Sequence, residues 1–158
     1  MTLTDTGAYS FGRHSAKLLE ITEPLGRIFI AAIFLVSGVG KVFAYSGTAD
    51  YMMSFRVPVE LLPLVIATEV LGGVALVIGW RTRTAAFLLA GFTLLAGVLF
   101  HRGSAERIQL LKNVAIAGGL AVLVRNGGGA YSVDRRLEGS MVSGHGAARR
   151  RSNECHGR

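Results

Sequence analysis

Four ionisable residues stand inside long apolar runs of this chain: Arg27, Lys41, Glu69 and Lys112, with Asn113 beside the last. At mid-membrane an ionisable side chain costs about 2.5–3.5 kcal/mol on insertion scales, so each needs a partner or a route to water. Arg27 is the third residue of the run Leu25–Phe43, and Lys41 lies two residues before its other end. Lys112 is the fourth residue of Gln109–Val124. All three have long stems and can reach an interface alone. Glu69 cannot: it is the ninth residue of Leu61–Trp80, roughly 12 Å along the helix axis from the nearer end. The two lysines are shallower by roughly 6–9 Å of helical rise and can point down toward it. The pattern therefore predicts a Lys41–Glu69–Lys112 cluster, with Asn113, and Gln109 one turn before it, adding amide hydrogen bonds.

Such a cluster has two uses. It can line a polar pocket that binds a small polar or quinone-like molecule or relays a proton, or it can only fix the register of the helices. Arg27 is open to the same choice between a site role and simple snorkelling. Ser37, Gly38, Gly40, Gly72, Gly73, Gly91, Gly97, Gly118 and Gly119 place small residues on every run. Their expected use is close helix approach, because lipid supplies no hydrophobic force between helices. The string Ser37–Lys41 (SGVGK) lacks the spacing of a phosphate loop and follows no strand.

Four elements must position these residues. The runs are Leu25–Phe43, Leu61–Trp80, Thr84–Phe100 and Gln109–Val124, and none has a polar face at helical period. A soluble all-α bundle would need such faces. About 20 residues span a hydrocarbon core of about 30 Å. The first two runs satisfy this, and the last two need their flanks, His101 and Ile108, or a thinner local bilayer. The expected fold is all-α, an integral membrane bundle of four antiparallel transmembrane helices. Arg81–Arg83 makes a tight turn between the second and third, and Thr48–Val57 is either a short interfacial helix or an irregular loop. As a helix it would turn Ala49, Met52, Met53 and Phe55 inward and leave Asp50 and Arg56 wet. The domain reading is a cytoplasmic segment 1–24, a membrane domain 25–126, and a basic tail 127–158 expected to be mostly disordered past Asp134.

Of the 158 residues, 51% are hydrophobic and only 17% charged, against about 25% charged in a soluble domain. The 17 Lys and Arg outnumber 10 Asp and Glu, but they gather at run ends and in the tail, not in the patch a nucleic acid requires. Arg13, Lys17, Arg81, Arg83, Arg125, Arg135, Arg136, Arg149, Arg150, Arg151 and Arg158 fall on one side of the bundle, against Arg56, Arg102 and Arg107 on the other. The positive-inside rule then predicts cytoplasmic termini. Arg149–Arg151 are expected to be solvated or to touch anionic headgroups. The one cysteine, Cys155, permits no internal disulfide, and neither a CxxC pair nor a Cys/His zinc set occurs. The first 24 residues lack the apolar segment of a signal peptide, so the first run is expected to be retained.

Taken in order, Arg27, Ser37-Gly38 and Lys41, then Glu69, Gly72-Gly73 and the basic turn Arg81–Arg83, then Lys112-Asn113-Val114-Ala115 and Gly118-Gly119-Leu120 resemble the DoxX family of small bacterial membrane proteins. The resemblance covers roughly residues 25–124 and the Gly-rich stretch that follows. It implies a four-helix inner-membrane protein that is an accessory or quinone-interacting component of a membrane redox or oxidative-stress system. The chain departs from a self-sufficient redox protein: the runs hold no cysteine, no histidine pair and no flavin or nucleotide motif. No intrinsic cofactor is implied, and electrons would travel on a bound quinone or a soluble or membrane oxidoreductase partner. The readings set against this are a scaffold that recruits partners through its basic tail and a proton-coupled permease, which with four helices requires a homodimer. The expected partners are thus the lipid bilayer, an oxidoreductase and a second copy, with no nucleic acid.

Overall fold

The computed structural model describes residues 6–100, 106–129 and 131–137, with side chains from residue 21 onward. His101, Arg102, the tail past residue 137 with Arg149–Arg151 and Cys155, and the side chains of Arg13 and Lys17 lie outside that description. The described chain is helical: α1 Thr6–Phe43, α2 Tyr45–Ser54, a 3₁₀ turn Val59–Leu61, α3 Leu62–Ile78, α4 Thr82–Phe100 and α5 Arg107–Asn126. Four stretches are long and apolar enough to span a bilayer: Ile21–Phe43, Val59–Ile78, Thr82–Phe100 and Arg107–Asn126. Three of these contain the runs read from the sequence, and Val59–Ile78 overlaps Leu61–Trp80 but ends two residues short of it. Only helices close their backbone hydrogen bonds within one segment in lipid, so runs of this length fold no other way.

α1 begins well before its apolar part and runs through Pro24. A proline inside a helix removes one hydrogen bond. Here the carbonyl that loses it belongs to residue 20, outside the apolar stretch, where water can serve it. α3 starts with Pro63 in its first turn and ends at Gly79, which has φ +71°. At Gly79 an added Cβ would also collide with the Arg27 guanidinium and Ser132. Both backbone hand and space therefore demand glycine there.

The contacts of small residues set the packing. Gly38 of α1 lies against Glu69 and Val70 of α3, while Gly73 of α3 lies against Ala31 and Leu35 of α1. Those two contacts run the helices in opposite directions. Gly72 receives Leu89 of α4, and Gly97 of α4 receives Asn113 and Leu110 of α5. α1 packs chiefly on α3 and α4 on α5, with α3 against α4 joining the two pairs. The core is narrow: Ala31, Phe34, Leu76, Ala85, Ala86, Leu89, Leu120 and Leu123. Phe29, Val36, Leu71, Phe87 and Ile108 point outward, each more than half exposed. Gly40, Gly91 and Gly118, expected at helix contacts, face open space. A bundle with many large apolar side chains outside and Gly38, Gly72, Gly73 and Gly97 at its contacts is nonetheless built for lipid.

The segment after α1 forms α2 over Tyr45–Ser54, three residues earlier than the sequence reading placed a helix. Met52 is buried and Ala49 half-buried, but Met53 and Phe55 are exposed, as Asp50 and Arg56 are. The helix stops at Phe55, and Arg56 takes φ +59°, which turns the chain toward Pro58. The end of α5 does not release the chain into solvent. Residues 127–129 and 131–137 fold back over the α3–α4 turn, and the amide of Asp134 donates to the Gly79 carbonyl at 3.0 Å.

Candidate functional site

Ser37 and Lys41 are four residues apart on α1 and so share one face. Gly38, beside them, lets α3 approach until Glu69 meets that face. A Cβ at residue 38 would lie 2.8 Å from Val70 Cγ2 and 3.1 Å from Glu69 Cβ. Lys41 Nζ donates to Glu69 Oε2 at 2.7 Å, to Glu69 Oε1 at 2.9 Å and to Ser37 Oγ at 2.6 Å. The Ser37 hydroxyl donates to Glu69 Oε1 at 3.2 Å. The Glu69 side chain is 7% exposed and that of Lys41 25%. A buried carboxylate is thus matched in charge by an ammonium that keeps a face outward. The Lys41–Glu69 half of the cluster is as the sequence reading placed it, with a hydroxyl that reading had counted only among the small residues. The four-residue spacing from Lys41 was the signal that could have included Ser37.

The third member does not join. Lys112 is exposed and is not among the partners of Glu69. α5 lies chiefly against α4, whereas Glu69 faces α1, so a place in the same half of the bundle does not bring Lys112 near. Asn113 is half-buried and occupies the space left by Gly97, its Nδ2 3.0 Å from where a Cβ would stand. It acts in the α4–α5 contact and not at the ion pair. Gln109 is exposed.

Arg27 belongs to the opposite end of the bundle. It is 2% exposed, and does not snorkel. Nη1 donates to the Gly128 carbonyl at 2.5 Å and Nη2 to the Tyr131 carbonyl at 2.8 Å. Glu23 lies against Gly129 of the same segment. From there Asp134 caps α4, its Oδ1 accepting from the Arg81 amide at 2.7 Å and its Oδ2 from the Thr82 amide at 2.9 Å. Burial works against charge on the Asp134 carboxyl, but the two amide hydrogen bonds and the nearby Arg27 charge outweigh it and hold its pKa below the ordinary carboxylate range. This hub ties α1, the α3–α4 turn and the chain after α5 together. It was hidden in the sequence because its acceptors are backbone carbonyls.

At the Lys41 end, Tyr51 of α2 and Phe55 just past its end meet Phe100 of α4, with ring centroids 5.0–5.5 Å apart. Burial, aided by the negative charge of Glu106, pushes the Tyr51 phenol up. These rings brace α2 against the end of α4.

A family model, DoxX, matches residues 24–102. The chain is also 44% identical over 124 residues to Inner membrane protein YqjF of Escherichia coli (strain K12), covering 77% of this chain and 95% of that protein. The chain belongs to the DoxX family. A second relative, Inner membrane protein YphA of the same organism, is 36% identical over 138 residues, 81% of this chain and 96% of its own. No solved structure matches the chain significantly. The family match contains Arg27, Ser37, Lys41 and Glu69 but stops before Lys112 and Asn113. This DoxX-family chain is a multi-pass membrane protein, and its buried ion pair lies within the part that the family model matches.

Proposed function

We propose that this DoxX-family chain is an inner-membrane component of a redox or oxidative-stress system, with both termini cytoplasmic, and that Ser37, Lys41 and Glu69 hold a quinone or quinol head group. One observation carries the reading: Glu69 is nearly enclosed while its partner Lys41 is a quarter exposed. A carboxylate accepting hydrogen bonds through both oxygens still has lone pairs for a quinol hydroxyl. The ammonium, turned partly outward, offers its charge to a quinone oxygen. In this reading the chain binds and orients the head group, and a soluble or membrane oxidoreductase partner supplies or removes the electrons. The relatives' names place them in the inner membrane, and the cationic residues Arg81, Arg83, Arg125, Arg135 and Arg136 at the α3–α4 end favour that end as cytoplasmic.

The test is ubiquinone or menaquinone binding to the purified full chain, compared with Glu69→Gln and Lys41→Gln. Binding that weakens about tenfold or more in either variant, as loss of one charged hydrogen bond predicts, supports the site. Equal binding by all three forms removes it. A reporter fused to the C-terminus and active only in the periplasm should stay inactive.

A further inference from the structure

The end of the bundle opposite the ion pair carries a second site, which owes nothing to the quinone reading. Between the α3–α4 turn and the chain after α5 lies a cavity of about 650 Å³, whose lining includes Arg81, Arg83 and Arg135. None of these three guanidiniums forms an ion pair with a described residue. The carboxylate in the same cavity, Asp134, has both oxygens on the Arg81 and Thr82 amides. Arg83 lies over Gly127, its Nε 3.2 Å from where a Cβ would stand, so the glycine loop leaves the guanidinium room. The described lining is therefore cationic, and the one acidic group among the described residues that line it is engaged.

An apolar groove of about 330 Å³ leaves this cavity along the outside of α3 and α4. The two share Trp80, Arg81 and Thr84. Leu71, Gly72, Ala75 and Leu88 line the groove farther along, and Leu71 and Leu88 are 68% and 59% exposed, on the surface that lipid covers. A soluble anion would use only the cavity. The chemistry that fills both parts is a negative head joined to a hydrocarbon chain. Basic pockets between transmembrane helices on the cytoplasmic side bind anionic headgroups in this way, and guanidiniums match phosphate oxygens in bidentate pairs.

We infer that this end of the bundle binds one anionic phospholipid, its phosphate among Arg81, Arg83 and Arg135 and one acyl chain in the α3–α4 groove. Trp80 is the only tryptophan in the chain, and it lines both compartments, so it reports on occupancy directly. The full-length protein is reconstituted in phosphatidylcholine vesicles, and Trp80 emission is followed as brominated phosphatidylglycerol or brominated phosphatidylcholine replaces part of the lipid. At equal mole fraction the anionic lipid should quench more strongly. The preference should fall by roughly five-fold for each guanidinium lost, so that an Arg83→Gln/Arg135→Gln double variant sees the two lipids alike. Lys112→Gln, which removes an exposed cation at the other end, should leave the preference intact. Equal quenching in the unaltered chain overturns the site, and so does a preference that survives the double variant. Loss of preference in Lys112→Gln also overturns it, by assigning the effect to overall charge. A Trp80 response to glycerol phosphate in pure phosphatidylcholine vesicles, without any lipid preference, would replace the phospholipid with a soluble anion.

Discussion

The two ends of the bundle each bury a charge, and they do it by different means. At the α3–α4 end, the Arg27 guanidinium is met by backbone carbonyls 101 and 104 residues later in the chain. At the other end, the Glu69 carboxylate is met by a side chain 28 residues earlier. A carbonyl has no rotamers and stands where the fold puts it, so its partner is fixed as firmly as the fold. An ion pair between two side chains can open, exchange a partner or admit a ligand. The first arrangement is architecture; the second has the freedom a binding site needs.

Breaking the first end should have the largest effect. Arg27→Met removes two charge-assisted hydrogen bonds and leaves two carbonyls without their donor, a loss on the order of 3 kcal/mol. It should appear as a lower unfolding midpoint in detergent and as faster proteolysis after residue 127. Next comes the ion pair. Glu69→Gln or Lys41→Met alone should cost about 1–3 kcal/mol, because each strands the other group. The double variant Glu69→Leu/Lys41→Met should cost less than the sum of the single changes, and strict additivity would show that the pair is not coupled. Quinone binding should follow these variants and ignore Arg27→Met wherever that protein still folds.

Asp134→Ala should cost about 1 kcal/mol, the usual value of a lost helix cap. The pH dependence has a definite sign. Because folding lowers the Asp134 pKa, its stabilisation is complete above the unfolded value near 3.8 and is lost as pH falls through the lower folded value. The difference between the unaltered chain and Asp134→Ala should therefore shrink in acid and stay constant above about pH 5. The smallest effect is expected from Lys112→Gln, within about 0.5 kcal/mol, as for an exposed side chain without an ion-pair partner among the described residues. A larger loss there would restore the third member of the cluster.

The spans were legible because the length of an apolar run is itself a physical quantity, matched to bilayer thickness. Glu69 was legible for the same reason: its depth left it no route to water, and Lys41 was within reach. Lys112 was misplaced because hydropathy gives depth but not the order of helices around a bundle. That order depends on contacts such as Gly97 with Asn113, which put α5 beside α4. Arg27 was marked as unusual, but its partners carry no side-chain signature, since any residue supplies a carbonyl. Asp134 was equally silent, because the amides it caps lie 52 and 53 residues away and no local spacing announces such a cap. The Gly-rich stretch at 127–129 reads as a simple end of helix until the guanidinium it accommodates is known.

The long reach of Arg27 also governs the order of assembly. Its helix is synthesised first, while the carbonyls that receive it are made about a hundred residues later. Until then the nascent bundle holds a cation with no acceptors, and the closed form cannot compete with looser arrangements. The last helix and the turn after it thus act as a latch. A polypeptide ended at residue 126 would keep all four spans yet lack the bolt, so synthesis of Gly128 and Tyr131 is what allows the bundle to close around Arg27.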